Sequence, residues 1–416
     1  MASNSSRHRL KSVRTGWQWQ LLTFSFFVGM IMLVLSGCLR RGCSVPSGGL
    51  GPQEYSRTLF VFRKQLDEDH CGLYLLTIQS DDTTIALLRE SEEYSADVSV
   101  SPDGGMIYLY PYTASFPREH YVFDVTERVL RPLTDRQGRL LAGVADWSPN
   151  GDELLPVIDL GWVVAEGTYE GMYAVNVHTG QSRLIRKVDV GEIVFMPRYS
   201  PDGSRIVFHV YEQPEQHSDE WTLTPSLSLR VTCADGTNEV QIAPPSLFNP
   251  TLGPPFLSFA RNPALPAWSP RGGEILFHAW FEDEEQGGIY IVNADGSDLR
   301  KLVDTGDASL EPFGINLVYM GWVPDGQRFA YSLDGKVWTQ NVDGTDRIDV
   351  SAELGDTSRR YRLKGWTHDG RLVIEERAWS GKPSTLYIVD LESGELKELL
   401  SLEKMCLGSS DLVWAP

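Results

Sequence analysis

The chain has 416 residues, a formal net charge of −19 and 42% hydrophobic residues. Its length allows two or three ordinary domains or a single large repeat fold, and its acidic balance excludes nucleic acid as a partner. An acidic body of this kind is expected to be soluble, to repel anionic surfaces and to favour cationic partners.

The N-terminus has the pattern of an export signal. Four basic residues precede an uncharged run from Leu21 to Ser36, which ends in the small-residue sequence Leu35-Ser36-Gly37-Cys38. This is the order of regions in a secretory signal peptide. A cysteine directly after Leu-Ser-Gly also resembles a bacterial lipobox, which implies cleavage before Cys38 and acylation of its thiol. Each buried acyl methylene contributes about 0.8 kcal/mol, so two or three chains would hold the body at a membrane.

The alternative for this segment is an uncleaved signal anchor, although a membrane-spanning helix usually needs ~20 apolar residues. In both cases the body leaves the cytoplasm. We predict a lipoprotein signal peptide over residues 1–37, a flexible Gly- and Pro-rich tether over 38–56 and one domain over 57–416. The predicted location is the cell membrane, lipid-anchored on the extracytoplasmic side. Loss of residues 1–37 would change the formal charge to −23, because that segment carries four basic and no acidic residues.

A Trp/Tyr-Ser-Pro-Asp-Gly turn recurs along the body. The copies are Ser101–Gly104, Trp147–Gly151, Tyr199–Gly203, Trp268–Gly272, Trp322–Gly326 and Trp366–Gly370, with a truncated copy at Trp414–Pro416. Proline presets φ, Asp or Asn bonds its own backbone two residues on, and glycine accepts a positive φ. Each copy therefore predicts a hairpin between two strands.

A second apolar unit lies about 20 to 25 residues after each turn and usually leads into another glycine turn, as in Ile289–Val292 before Asn293–Ser297. Four short strands per repeat are typical of a propeller blade. The first outer half, Thr58–Leu88, has no turn of its own, and the truncated turn at the C-terminus has no outer half. We therefore predict an all-β, seven-bladed β-propeller of four-stranded antiparallel blades. The C-terminal strand would join the N-terminal blade and close the ring, which protects the sheet ends.

These turns and the strands that follow them resemble the repeats of TolB-like β-propellers over nearly all of residues 57–416. The resemblance implies the fold. It does not imply one function, because such propellers occur in periplasmic scaffolds, in the gating domains of prolyl oligopeptidase-type peptidases and in surface lipoproteins. The α/β domain that precedes the propeller in TolB is not recognised in this sequence, so we do not expect that protein's role.

The sequence contains no pattern that predicts catalysis. It has no Gly-x-Ser-x-Gly elbow, and its eight histidines show neither a His-x-x-x-His pair nor metal-ligand spacing. The acidic turns Asp295–Asp298 and Asp343–Asp346 lack the alternating carboxylates of a calcium loop. The tryptophans before the Ser-Pro-Asp-Gly turns are expected to pack between blades. We therefore predict no enzyme activity, no metal and no cofactor.

The competing hypothesis is an enzyme or solute-binding propeller with a small-molecule or metal site in its central tunnel. Its lining would come from innermost strands such as residues 96–100, 142–146 and 317–321. These strands carry few ionisable residues, with Asp97 and Asp146 the exceptions, which ranks this hypothesis second.

Four cysteines remain once Cys38 is assigned to the lipid, and a disulfide is permitted outside the cytoplasm. Cys71 is expected between the second and third strands of the closing blade, and Cys406 just before the C-terminal strand. Both loops would emerge on one face, so a Cys71–Cys406 bond would pin the ring closure; the alternative is two free thiols.

Acidic residues cluster in three loops that are expected to join second to third strands and so to share one face. The clusters are Asp67, Glu68 and Asp69; Glu212 with Glu215, Asp219 and Glu220; and Glu282, Asp283, Glu284 and Glu285. Solvated loops are often charged. The sharper hypothesis is an acidic rim that binds a cationic protein partner and is screened by salt. Together these features predict a membrane-tethered, non-catalytic protein-binding or scaffolding module.

Overall fold

The computed structural model describes residues 43, 56–66, 70–79, 82–91, 96–111, 120–133, 146–156, 171–189, 192–212, 226–247, 266–280, 287–306, 320–354, 360–377, 384–402 and 411–415. These residues form 28 strands in seven four-stranded antiparallel sheets. The sheets are the blades of an all-β, seven-bladed propeller, as predicted.

The strands of each blade follow from the innermost to the outermost. Blade 1 contains β28 (Asp411–Ala415), β1 (Arg57–Gln65), β2 (Cys71–Gln79) and β3 (Asp82–Ser91). Blade 2 contains β4 (Ala96–Val100), β5 (Met106–Pro111), β6 (Tyr121–Asp124) and β7 (Val129–Pro132). Blade 3 contains β8 (Asp146–Trp147), β9 (Glu153–Leu155), β10 (Gly171–Asn176) and β11 (Ser182–Lys187). Blade 4 contains β12 (Glu192–Tyr199), β13 (Arg205–Glu212), β14 (Ser226–Cys233) and β15 (Val240–Ala243).

The remaining blades repeat this order. Blade 5 contains β16 (Ala267–Trp268), β17 (Glu274–Trp280), β18 (Gly287–Asn293) and β19 (Arg300–Gly306). Blade 6 contains β20 (Met320–Trp322), β21 (Arg328–Leu333), β22 (Lys336–Asn341) and β23 (Ile348–Asp349). Blade 7 contains β24 (Arg360–Trp366), β25 (Leu372–Arg377), β26 (Ser384–Val389) and β27 (Leu396–Leu402). Short 3₁₀ helices cover Pro245–Leu247 and Val350–Leu354.

The ring closes through both ends of the domain. The C-terminal β28 pairs antiparallel with β1, with Thr58 opposite Trp414 and Val61 opposite Asp411. Blade 1 thus takes its innermost strand from one end of the chain and its other three strands from the opposite end. The predicted closure is confirmed.

In the copies of blades 2, 3, 4 and 7, the Ser or Thr of the turn donates a hydrogen bond to the Asp or Asn two residues later. In the blade 4 copy, the Ser200 hydroxyl donates to the Asp202 carboxylate at 2.6 Å and accepts from the Arg205 N–H at 2.9 Å. The N–H of Gly203 donates to the Ser200 carbonyl, and Gly203 has a φ of 70°. Residues with a Cβ rarely adopt that φ, which explains the fixed glycine.

The turn tryptophans connect successive blades. Trp268, Trp322 and Trp366 are buried, and each indole N–H donates to a backbone carbonyl of the preceding blade's innermost strand. The acceptors are the carbonyls of Arg198, Ala267 and Gly321, at 3.1, 3.0 and 3.3 Å. Buried indole N–H groups need such a partner. Packing between blades is confirmed for these three residues.

The antiparallel strands give the propeller two edges. The edge that carries the Ser-Pro-Asp-Gly turns is called the turn edge, and in blade 4 it contains the pair Arg205 and Cys233. The opposite edge is called the loop edge, and there the same two strands end at Glu212 and Ser226. Within the described residues, no helix is long and apolar enough to cross a membrane.

Candidate functional site

The innermost strands carry more charge than the sequence led us to expect. The predicted strand 96–100 is β4; β8 covers Asp146–Trp147 and β20 covers Met320–Trp322, and residues 142–145 and 317–319 of the other two predicted strands lie outside the described residues. β12 and β24 are also innermost strands, and they contribute Arg198, Arg362 and Lys364.

Asp146 connects two blades. Its carboxylate accepts a hydrogen bond from the Arg198 guanidinium at 2.6 Å and another from the Tyr199 N–H at 2.8 Å. Arg198 follows a bulge in β12 at which Met196 has a φ of 54°. The bulge re-aims the side chains beyond it. Asp146, one of the two acids predicted for the tunnel, therefore links blades 3 and 4 through these two bonds.

Blade 7 contains a buried cluster of three charges. The Glu375 carboxylate lies 2.6 Å from Arg362 and 3.1 Å from Lys364, and its side chain is 6% exposed. Burial alone would raise the pKa of Glu375, but the two cations outweigh it and lower that pKa to about 2. Glu375 is therefore ionised at every physiological pH, so it is a poor general acid.

A longer charge network joins β11 of blade 3 to blade 4. Arg186 bonds Glu192 at 2.8 Å and Glu239 at 2.9 Å, and Arg230 bonds the other oxygen of Glu239 at 2.9 Å. Arg230 also pairs with Glu212. Burial opposes charge on Arg186, but its two carboxylate partners raise its pKa above the ordinary value.

Most of the predicted acidic rim lies outside the described residues, including Asp67, Glu68, Asp69 and Glu282, Asp283, Glu284 and Glu285. Glu212 is described, and it accepts hydrogen bonds from Arg230 and from the Ser226 hydroxyl. One acid predicted for the rim thus belongs to the structural network of blade 4. The rim itself stays a prediction.

The cysteines form a bond that the sequence analysis missed. Cys43 and Cys233 are joined by a disulfide across 190 positions, with their Cα atoms 5.2 Å apart. Cys43 lies in the segment predicted as a flexible tether, and strand patterns gave no reason to place it beside β14. Cys71 is also disulfide-bonded; its partner lies outside the described residues, as do Cys38 and Cys406, so the Cys71–Cys406 bond stays a prediction.

The described histidines in the strands are packed within the protein. His209 is fully buried and His278 is half-buried at equivalent positions of β13 and β17, and burial lowers their pKa values to about 3 and about 4. His209 stacks on Phe195, and His278 bonds the Thr305 hydroxyl at 3.2 Å. Within the described part of the chain, no group of three or more His, Cys, Asp or Glu residues is arranged to hold a metal ion.

No protein-family model and no curated protein matches the chain. Similar solved structures include TolB from Acinetobacter baumannii, at 15% identity and a TM-score of 0.43 over 72% of this chain and 64% of that one. Another is the oligogalacturonate lyase from Vibrio parahaemolyticus, at 13% identity and a TM-score of 0.50 over 84% and 87%.

A third similar structure is the β-propeller domain of the Trilobed protease from Pyrococcus furiosus, at 13% identity and a TM-score of 0.51 over 84% and 96%. That domain is described as having an open velcro topology, whereas β28 and β1 pair in this chain. Identities this low show the propeller fold alone. The similar structures include both TolB proteins and enzymes.

Proposed function

We propose that this chain is a lipid-anchored, extracytoplasmic β-propeller that binds a protein partner and catalyses no reaction. The main support is the use of charge on the innermost strands. Asp146 and Arg198 bond across a blade junction, and Glu375 is shared by Arg362 and Lys364. Charged groups held in fixed ion pairs stabilise the fold, whereas catalytic acids and bases need pKa values near the working pH.

The chemistry proposed for the partner follows from charge. The chain has 56 acidic and 37 basic residues, and the predicted rim adds a local cluster to this excess. A complementary, cationic protein surface would be steered towards such a rim, and salt would screen the attraction. The anchor rests on the lipobox at Cys38 and on the export signal before it.

A second candidate function is a small-molecule or metal site in the tunnel. One observation favours it: Arg362, Lys364 and Glu375 form a buried charge cluster on and beside an innermost strand. Buried charge is expensive and concentrates at functional sites, although structural ion pairs have the same effect on pKa values. This candidate ranks second because Asp146, an acid predicted for the tunnel, is already paired with Arg198 in a contact between blades.

The test is an affinity pull-down of the full chain from gently solubilised membranes at low and high salt, with intact mass and metal content measured on the same sample. The rim variant reverses Glu282, Asp283, Glu284 and Glu285 to lysine. The matched control makes four acid-to-lysine changes at exposed residues away from the rim: Glu127, Glu392, Glu395 and Glu398. Both variants change the net charge equally, so only the position of the charge differs.

The proposal expects a diacylglyceryl mass on Cys38 and a protein partner that is lost at high salt and with the rim variant but kept with the control. Equal loss of the partner with both variants would show that binding depends on net charge and not on the position of the rim. A protein that carries a stoichiometric small molecule or metal, and no protein partner, would overturn the proposal in favour of the tunnel site.

A further inference from the structure

The Cys43–Cys233 disulfide attaches the N-terminal segment to a specific place on the propeller. Cys233 is the last residue of β14 and lies on the turn edge of blade 4, where its N–H donates to the Thr237 carbonyl. Its side chain is 2% exposed. The disulfide therefore joins a residue of the tether to a well-packed turn.

This attachment shortens the connection to the lipid. Cys43 is five residues from Cys38, and a fully extended segment of that length spans at most about 18 Å. Through the chain alone, Cys38 would be connected to the propeller at Arg57, nineteen residues away. A fully extended segment of that length spans at most about 68 Å.

Both attachment points lie on the same edge of the propeller. Arg57 is the first residue of β1, at the end of that strand where Ala415 pairs with it, and its guanidinium donates to the carbonyl of Asp103 in the blade 2 turn. The chain thus joins the turn edge at blade 1, and the disulfide joins it at blade 4. These two positions are three blades apart on the ring.

We propose that the Cys43–Cys233 disulfide is an orientation clamp that holds the turn edge of blade 4 against a lipid surface. The clamp turns the loop edge away from the lipid, towards partners. This inference rests on the lipid anchor of the proposed function. It adds which part of the propeller lies at the membrane.

The turn edge carries exposed carboxylates. Asp235 and Asp295 occupy exposed turns of blades 4 and 5 on this edge, and an anionic lipid surface repels carboxylates within about one Debye length, ~8 Å at physiological salt. A short clamp holds the edge near the lipid against this repulsion.

The experiment measures energy transfer from a donor on the propeller to acceptor-labelled lipid headgroups, with the full lipidated chain in phosphatidylcholine vesicles. Donors are introduced through a non-natural amino acid at Gln241, Lys397 or Lys187, one position per sample. Gln241 and Lys397 are exposed and near the start of the outermost strands of blades 4 and 7. Lys187 is exposed at the loop edge of blade 3.

The clamp predicts the highest transfer from Gln241 and lower transfer from Lys397 and Lys187. In the double variant Cys43→Ser, Cys233→Ser, which leaves no unpaired thiol at this site, the difference between Gln241 and Lys397 is lost. A second variant keeps the disulfide and inserts a Gly/Ser segment between Leu39 and Arg40; it is expected to reduce transfer from Gln241 in the same way. This variant keeps the test valid if the double variant folds poorly.

Vesicle flotation distinguishes a failure of the clamp from a failure of the lipid anchor. If the protein floats with the vesicles and Gln241 and Lys397 give equal transfer in the oxidised chain, the clamp is overturned while the anchor stands. If the protein does not float and Cys38 carries no lipid mass, the anchor fails, and the proposed function fails with it.

Discussion

The junction between blades 3 and 4 differs from the junction between blades 5 and 6, although the same repeat builds both. The first contains an apolar cluster that includes Leu155, Ile185 and Phe208, and it is also crossed by ion pairs from Asp146 to Arg198 and from Arg186 to Glu192. The second is apolar: Leu276, Ile289 and Ile291 of blade 5 pack against Trp322, Phe329 and Tyr331 of blade 6. The same repeated turn therefore builds a junction that includes ion pairs and a junction that packs through apolar side chains.

The two junctions should respond to different stresses. Apolar packing depends on complementary volume and is insensitive to salt, whereas ion pairs near the surface are screened by salt and lost as carboxylates protonate. The comparison can be tested by changing one property at a time. The following changes are ordered from the largest expected effect to the smallest.

Phe329→Ala is expected to lower the free energy of unfolding by about 3–5 kcal/mol, because a fully buried ring leaves a cavity in the blade 5–6 junction. Urea unfolding at two salt concentrations measures it, and the loss should be equal at both. Ile348→Ala on the same blade is the control: its side chain is 51% exposed, so a change within about 0.5 kcal/mol is expected. A loss of similar size in the control would contradict the model of a buried junction.

Acid should weaken the apolar junction first. His278 faces blade 6 with a pKa of about 4, below its ordinary value of 6.5, because of burial and of the nearby charge on Lys301. Between these pH values the unfolded chain binds a proton that the folded chain does not, so stability falls as pH drops from 6.5 towards 4. We expect His278→Asn to make the free energy of unfolding depend less steeply on pH, as measured by urea unfolding between pH 7 and pH 4.

The carboxylates at the junction between blades 3 and 4 lose their contribution to the free energy of unfolding at a lower pH than His278 does. The pKa of Glu192 is lowered by Arg186 and the Asp189 N–H despite partial burial, so its contribution is lost only as pH falls through that lowered pKa. An unchanged slope in His278→Asn would mean that other groups control acid sensitivity.

Arg186→Met keeps the aliphatic stem of the side chain and removes the charge that Glu192 and Glu239 share. We expect a loss of about 2 kcal/mol, since the partly buried Glu192 loses its cationic partner while the more exposed Glu239 retains Arg230. The difference from wild type should shrink in 1 M salt, where the Debye length is about 3 Å. Arg300→Met, at an exposed pair with Asp298, is the control and should change stability by less than about 1 kcal/mol. A salt-independent loss would assign the effect to packing.

Gly203→Ala and Gly326→Ala test whether the turns are independent of the junction chemistry. Both glycines have a positive φ, 70° and 66°, and an alanine there should cost about 1–2 kcal/mol. The two losses should be equal within error, and neither should depend on salt, although one turn belongs to blade 4 and the other to blade 6. A clear difference would show that the junction beside each turn contributes to its cost.

Much of the fold could be predicted because the turns repeat. A Pro-Asp-Gly sequence before an apolar run specifies a local hairpin, and the count of such hairpins gave seven blades and the closure between β28 and β1. Charged partners could not be predicted in the same way. Arg198 reaches Asp146 only because the bulge at Met196 re-aims β12, and a bulge leaves no repeat signal in one sequence.

The sequence by itself determined the strand order, the ring of seven blades and the inter-blade position of the turn tryptophans, because these depend on the local φ preferences of proline and glycine and on residue periodicity. The tertiary structure alone decided that Cys43 pairs with Cys233 and that Asp146 pairs with Arg198 between blades 3 and 4. These contacts join residues far apart in the chain. Their partners are chosen by how the blades stack, which local sequence does not encode.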